Sequence, residues 1–223
     1  MLLAQTALAE TRVGIYYQMT VSDPSALVAA LDTFRSSSAG KKSSAQVTLS
    51  QIMANGTNPA THALSVSYAS GADMDESQAA TRGSKEWAAL QSTMSEIMEP
   101  VSETMFRTTD ISAGSPDAIT SPNSVSRFIL MDVQDPAAYI AAWNKMMASR
   151  DSKLPSGIFQ VMSAGTAGNS HGVSVTTNNM AEMMELMDAN QGNADWSEFL
   201  AAVEGIRTVE DDSIVVRIKS WGS

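Results

Sequence analysis

The chain has two histidines, His62 and His171, and each begins a segment in which larger apolar residues alternate with small ones. This alternation predicts a β-strand with one apolar face, and the histidine lies at the start of that face. An unperturbed imidazole titrates near neutral pH, so either residue could act as a general base or contact a ligand. The alternative is a structural imidazole that hydrogen-bonds the neighbouring glycine-containing turn. Both interpretations stay open at this point.

Three aromatic residues, Tyr17, Trp87 and Trp196, are further candidates for contact with a ligand. Tyr17 lies in a predicted first strand, where its phenol could assist a histidine base. Trp87 and Trp196 each begin an apolar stripe at helical spacing, which is typical of residues in a packed core. Core packing is therefore the favoured interpretation of the tryptophans, and ligand contact is the alternative.

The two histidines and these two tryptophans share one spacing, because each pair is separated by 109 positions. Sliding the chain by that distance aligns 51–106 with 160–215 without a gap, and 14 of the 56 positions are identical. Unrelated segments of average composition would match at about one position in fifteen. Upstream, Asp23-Pro24 aligns with Asp135-Pro136 at a spacing of 112. The period is that of a small domain, so the sequence predicts two homologous domains in tandem.

Each copy reads as β-α-β-β-α-β, the ferredoxin-like order. Asp-Pro pairs begin the first helix of both copies, since aspartate caps a helix and proline fits its first turn. We expect an N-terminal extension at 1–11, a first repeat at 12–107, a linker at 108–126 and a second repeat at 127–219. In the first copy one helix, the one that carries Trp87, and a short strand at about 104–107 are predicted to follow the third strand.

Two such sheets, each bare on one face, can close against each other. The order of elements, the duplication and the histidine-led strand resemble the dimeric α+β barrel superfamily, which includes antibiotic-biosynthesis-type monooxygenases, EthD-like and NIPSNAP-like proteins. The resemblance covers about 12–219. It implies an α+β fold in which two ferredoxin-like repeats form one pseudo-twofold barrel. For the enzymes of the superfamily it implies aromatic substrates held inside the barrel and no metal or organic cofactor, and it carries over no catalytic residue.

Composition narrows the classes of partner. A net charge of −10 with only 14 lysines and arginines disfavours nucleic acid and anionic membrane surfaces. The chain has no cysteine, which excludes disulfides, thiolate nucleophiles and cysteine-based metal sites. The acidic run Glu210-Asp211-Asp212 is expected to form a solvated turn, because no further ligands accompany it at metal-binding spacing. These features predict no metal, and the resemblance to the barrel superfamily implies no organic cofactor.

The first ten residues end in Ala7-Leu8-Ala9-Glu10, which contains the A-x-A pattern of a signal-peptidase site. Either this is an N-terminal extension of the folded protein, or it is the tail of an export signal. The pattern favours an exported protein, periplasmic or secreted, over a cytoplasmic one.

These observations lead to a ranked set of functions. The first is binding of a small apolar or aromatic molecule between the two repeats, in a monomer with an intramolecular pseudo-dimer or in a homo-oligomer. The second is a cofactor-independent monooxygenase-like enzyme with His62 or His171 as base and Tyr17 assisting. The third is a structural or assembly module, since open sheet edges can pair with further copies.

Overall fold

The computed structural model describes residues 11–150 and 153–222. Residues 1–10, which carry the predicted cleavage pattern, lie outside this range. Within it, no helix is long and apolar enough to cross a membrane.

The described chain has two halves with the same order of elements. The first half contains β1 (Val13–Val21), α1 (Pro24–Ser36), β2 (Gln46–Ala54), β3 (His62–Tyr68), α2 (Gly71–Thr81), α3 (Lys85–Ile97) and β4 (Met98–Ala113). The second half contains β5 (Val125–Val133), α4 (Pro136–Ala148), β6 (Ser156–Ser163), β7 (His171–Thr177), α5 (Met180–Asn190), α6 (Ala194–Val203) and β8 (Arg207–Trp221). The predicted α+β class is confirmed.

The eight strands form one closed antiparallel barrel in the order β1-β3-β2-β8-β5-β7-β6-β4. Strands β4 and β8 are the longest, and they join the two halves because β4 pairs with β6 and β8 pairs with β2. A side-chain contact adds to this junction, since Trp221 Nε1 donates a hydrogen bond to Asp32 Oδ1 at 2.7 Å. Closure removes the open sheet edges on which the assembly hypothesis depends.

Three sequence expectations differ from the structure. β4 continues to Ala113, into the segment expected to be linker, and helix α2 was not expected. The N-cap of α2 is Ser70, whose side chain accepts a hydrogen bond from the Asp73 backbone N–H. The helix is mostly polar and has no apolar stripe that would predict it from the sequence. The expectation that Glu210-Asp211-Asp212 forms a turn is wrong, because all three lie inside β8. Pairing of Asp211 and Asp212 with Leu130 and Ile129 of β5 stabilises this acidic segment against its low strand propensity.

Helices α1 and α3 pack on the outside of the first-half sheet, and α4 and α6 pack on the outside of the second. Asp23 and Asp135 cap α1 and α4 as the sequence predicts, by accepting hydrogen bonds from Ala26 N and Ala138 N. The strands alternate accordingly: the side chains of Leu64, Val66 and Tyr68 face the helices, and the small residues between them face the inside of the barrel. The barrel interior and the two sheet–helix interfaces are thus three separate compartments.

Candidate functional site

The largest of the cavities described lies in the first half, between the sheet and helices α1, α2 and α3. It has a volume of about 780 Å³. Its walls are mainly apolar and include Leu31, Leu90, Met94 and Val66. A concave apolar space of this size with a few polar groups is typical of a small-molecule site.

The second half has larger side chains at three equivalent helix positions. Leu27 and Leu31 of α1 correspond to Tyr139 and Trp143 of α4, and Leu90 of α3 corresponds to Phe199 of α6. Aromatic side chains fill much more space than leucine. The smaller leucines leave more room between helices and sheet in the first half than the aromatic side chains leave in the second.

The aromatic residues of the second half contact one another closely. Phe199 lies at the centre, with ring centroids 5.9 Å from Tyr139, 6.3 Å from Trp143 and 5.5 Å from Trp196. The guanidinium of Arg207 lies over the rings of Tyr139 and Phe199 at 5.9 and 5.6 Å. Edge-to-face contacts and cation–π contacts each stabilise such a cluster. Trp196, a predicted ligand contact, belongs to this packed cluster.

The other two aromatic candidates line the first-half cavity. Trp87 packs edge-on against Phe34 with centroids 5.4 Å apart, and both line the cavity. Tyr17 reaches the same space from β1. Burial raises the pKa of the Tyr17 phenol, and the negative charge of Glu103 raises it further, so the hydroxyl stays protonated at neutral pH. It can donate a hydrogen bond to a ligand.

Sequence reasoning missed a polar group in the cavity wall made of Tyr68, Arg35 and Arg82. Tyr68 ends β3, Arg35 lies in the last turn of α1 and Arg82 follows α2, so three separate elements bring them together. Burial raises the pKa of Tyr68, and the charges of both arginines, which line the same cavity, oppose that rise. The sequence feature that could have pointed to this group is the position of Tyr68 on the same strand face as Leu64 and Val66.

The inside of the barrel holds two smaller cavities, of about 110 and 350 Å³. Tyr16 lines both, and its ring lies 5.3 Å from that of Phe128 across the barrel. The Tyr16 hydroxyl is buried close to Ser213 but makes no well-formed hydrogen bond within the described part of the chain, and burial raises its pKa. This compartment corresponds to the expected ligand position between the repeats, and it offers less room than the first-half cavity.

A hydrogen-bond network at one end of the barrel connects the halves. Gln18 is 3% exposed, and its Nε2 donates to Asp211 Oδ2 at 3.0 Å. Its Oε1 accepts from Asn58 Nδ2 at 2.8 Å and from Ser102 Oγ at 2.9 Å. Because every polar atom of the amide has a partner, the network is typical of a structural joint.

No family of known sequences matches the chain, and no curated protein does. Solved structures match its shape. A protein proposed to be a monooxygenase, from Fusobacterium nucleatum subsp. nucleatum, is 7% identical with a TM-score of 0.64, over 96% of this chain and 95% of that protein. An anthrone oxidase-like protein is 10% identical with a TM-score of 0.62, over 96% and 93%. A mutant chlorite dismutase from Candidatus Nitrospira defluvii, in complex with cyanide, is 8% identical with a TM-score of 0.55, over 94% and 92%.

The chain has the dimeric α+β barrel fold. At these identities the likeness shows the fold alone. The resemblance inferred from the order of elements is confirmed at this level, and the roles of individual residues depend on the geometry of this chain.

In this dimeric α+β barrel the two histidines lie at equivalent places outside the cavities described above. His62 is 6% exposed, and its Nδ1 lies 2.9 Å from Thr61 Oγ1. His171 Nδ1 lies 3.0 Å from Ser170 Oγ. Burial lowers the pKa of both imidazoles, although the charge of Asp132 opposes that effect at His171.

The hydroxyls beside the histidines also hold the neighbouring strands. Thr61 Oγ1 accepts a hydrogen bond from Val21 N at 3.0 Å, and Ser170 Oγ accepts one from Val133 N at 2.8 Å. The hydroxyl that accepts from the backbone can then donate its own proton to the unprotonated imidazole nitrogen. This arrangement favours the structural interpretation of both histidines.

Proposed function

We propose that the protein binds a small aromatic molecule in the first-half cavity. The observation that carries this proposal is the contrast between the halves, since Leu31 and Leu90 border a space of about 780 Å³ and the equivalent positions of the second half carry Trp143 and Phe199 in a packed cluster. A well-packed core is more stable than a hollow one. A large unfilled space at the first-half interface is therefore best explained by a ligand.

The lining suggests the shape and chemistry of that ligand. Trp87 and Phe34 offer aromatic faces, Met94 and Met98 offer adaptable apolar contacts, and Tyr17 offers a hydrogen-bond donor. A planar aromatic molecule with one polar substituent matches these groups. The proposal keeps the expected class of ligand and moves its position from between the halves to within the first.

The test is calorimetric titration with N-phenylnaphthylamine, a neutral aromatic probe. We expect saturable binding at one site, and loss of that binding in Leu31→Trp, which introduces the side chain of the second half into the cavity. Leu200→Trp is the matched control, because Leu200 is 39% exposed on α6 and can accept the larger ring. No binding to the wild type, or equal binding by Leu31→Trp, would overturn the proposal.

A second candidate is oxygen-dependent oxidation of the bound aromatic molecule, and the structural neighbours favour it. The names of two of them are those of a monooxygenase and an anthrone oxidase. For an anthrone, the reaction would use O₂ as oxidant, convert the ring CH₂ to a carbonyl and release water. In this chain Tyr17 would hold the substrate oxygen by its phenol.

Oxygen uptake with anthrone tests this candidate. If it holds, Tyr17→Phe slows uptake and the double variant His62→Asn/His171→Asn does not, because the histidines lie outside the cavity. If only the histidine variant loses oxygen uptake, one of the two histidines acts as the general base. If the wild type takes up no oxygen, the oxidation hypothesis is rejected and ligand binding remains the proposed function.

We also propose that the halves arose by duplication of one unit, at 12–107 and 127–219. Equivalent backbone contacts support this origin: Thr61 N donates to Met19 O, and Ser170 N donates to Met131 O, both at 3.0 Å. The turns before them contain glycines of matching backbone geometry, Gly56 with φ 64° and Gly165 with φ 62°. One chain thus supplies both halves of the barrel, and we expect it to be complete without a second copy.

A further inference from the structure

We propose that the first-half cavity selects aromatic molecules that carry a negative charge, and that Arg35 and Arg82 bind the anionic group. This inference rests on the proposed function, because it assigns the polar part of the ligand that the cavity would hold. Neither arginine emerged as a candidate from the sequence.

The two arginines reach the cavity wall from different elements. Arg35 lies in the C-terminal turn of α1, and Arg82 is the C-cap residue that follows α2. Tyr68, at the end of β3, lines the same cavity, and both arginine charges act on its phenol. Two guanidiniums and a phenol in the wall of one cavity provide several donors for a carboxylate or a sulfonate.

Charge around the cavity favours an anion against the trend of the whole molecule. The chain carries a net charge of −10, yet the cavity lining contains two arginines and one carboxylate, Glu103. Glu103 pairs with Tyr17 on β1, whereas Tyr68, on which the arginine charges act, pairs with Val13 at the other end of that strand segment. The wall therefore has a cationic part that is distinct from its acidic residue.

The ion pairs within the described residues leave this positive charge uncompensated. They involve Arg127, Lys145 and Lys219. Arg82 donates to the neutral amide of Gln78, which also lines the cavity. Burial lowers the pKa of Arg35, which reflects the cost of keeping a cation out of water. An anionic ligand would offset that cost, and a guanidinium can bind it through two parallel hydrogen bonds.

The second half supplies an internal comparison. The residues equivalent to Arg35, Arg82 and Tyr68 are Met147, Gln191 and Thr177. At these three positions the second half thus has neither a cation nor a phenol. The cavity and its cationic wall occur together, as expected if both serve the same ligand.

The experiment compares two probes that differ by a single sulfonate group. Anilinonaphthalene sulfonate is anionic, and N-phenylnaphthylamine is its neutral counterpart. Both are titrated calorimetrically into the wild type, into the double variant Arg35→Gln/Arg82→Gln, and into the control Lys145→Gln/Lys153→Gln. The control removes the same charge from the second half, where Lys145 lies on the surface and Lys153 is exposed.

We expect the arginine variant to bind the sulfonate about tenfold more weakly and the neutral probe within about twofold of the wild type. The control should change neither affinity by more than about twofold. Added salt should weaken sulfonate binding more in the wild type than in the arginine variant, because the salt screens the arginine charges.

Three outcomes are decisive in different ways. Unchanged sulfonate binding by the arginine variant overturns the charge selection alone. Equal weakening of both probes also overturns it, since the arginines would then only maintain the shape of the cavity. Failure of the wild type to bind the neutral probe overturns the proposed function itself.

Discussion

Leu31 and Trp143 occupy the same position of two similar helices, eight residues after the capping aspartates Asp23 and Asp135. Both face a sheet, and both are buried. The leucine borders the cavity of the first half, whereas the tryptophan fills the corresponding interface of the second. One helix position therefore distinguishes a hollow layer from a packed one.

Trp143→Leu should destabilise the protein, because it opens a hole in the aromatic cluster without exposing the cluster to solvent. We expect a loss of about 2–3 kcal/mol in the free energy of unfolding, measured by denaturant titration. Trp87→Leu is the comparison in the first half, where the indole already borders empty space. A smaller loss for Trp143→Leu than for Trp87→Leu would contradict the packing contrast.

The histidines should make stability depend on pH. Burial lowers their pKa below the ordinary value of 6.5, so the unfolded chain binds more protons than the folded one as the pH falls through 6.5. Their contribution is therefore fully present above pH 6.5 and is lost below it. The double variant His62→Asn/His171→Asn should lose less free energy of unfolding than the wild type between neutral and mildly acidic pH. Identical slopes in the two proteins would show that the imidazoles do not titrate with folding.

The contact between Gln18 and Asp211 should stabilise the junction of the two halves. Gln18→Ala removes the amide that joins Asp211, Asn58 and Ser102, and it leaves their polar groups without that partner. We expect a loss of about 1–3 kcal/mol in denaturant titration. Ser102→Ala, which removes one of the three contacts, should cost less. If the two variants are equally stable, the network is not a joint between the halves.

Tyr16→Phe should not destabilise the protein, because the hydroxyl has no well-formed hydrogen bond within the described chain and burying it costs free energy. The thermal midpoint should stay the same or rise. Ring contact with Phe128 is retained in this variant. A clear fall in the midpoint would mean that the hydroxyl has a partner inside the barrel, such as a bound molecule.

Much of the architecture could be predicted from the sequence, since the repeated Asp-Pro caps and the alternating strands after His62 and His171 set the order of elements. The lengths of the closing strands could not. Pro100 of β4 pairs only with β1, and Asp211 and Asp212 of β8 pair only with β5; both segments become strands because they continue parts of β4 and β8 that are paired on two sides. Helix α2 was missed because its caps, and not an apolar stripe, define it.

The candidate site was only partly predictable. Tyr17, Trp87 and Trp196 were each predicted as possible ligand contacts; Tyr17 and Trp87 line the first-half cavity, whereas Trp196 is packed in the second half. The sequence repeat identifies residues that are the same in both halves, whereas the cavity depends on residues that differ between them. Leu31 against Trp143 and Arg35 against Met147 are differences whose meaning appears only when the sheet–helix layers are compared.

The central claim is tested most directly by a crystal structure of the protein with N-phenylnaphthylamine bound. We predict density for the probe between the first-half sheet and helices α1 and α3, in contact with Tyr17 and Trp87, and no displacement of the aromatic cluster around Phe199. Density for the probe inside the barrel beside Tyr16, or between α4 and the second-half sheet, would contradict the account.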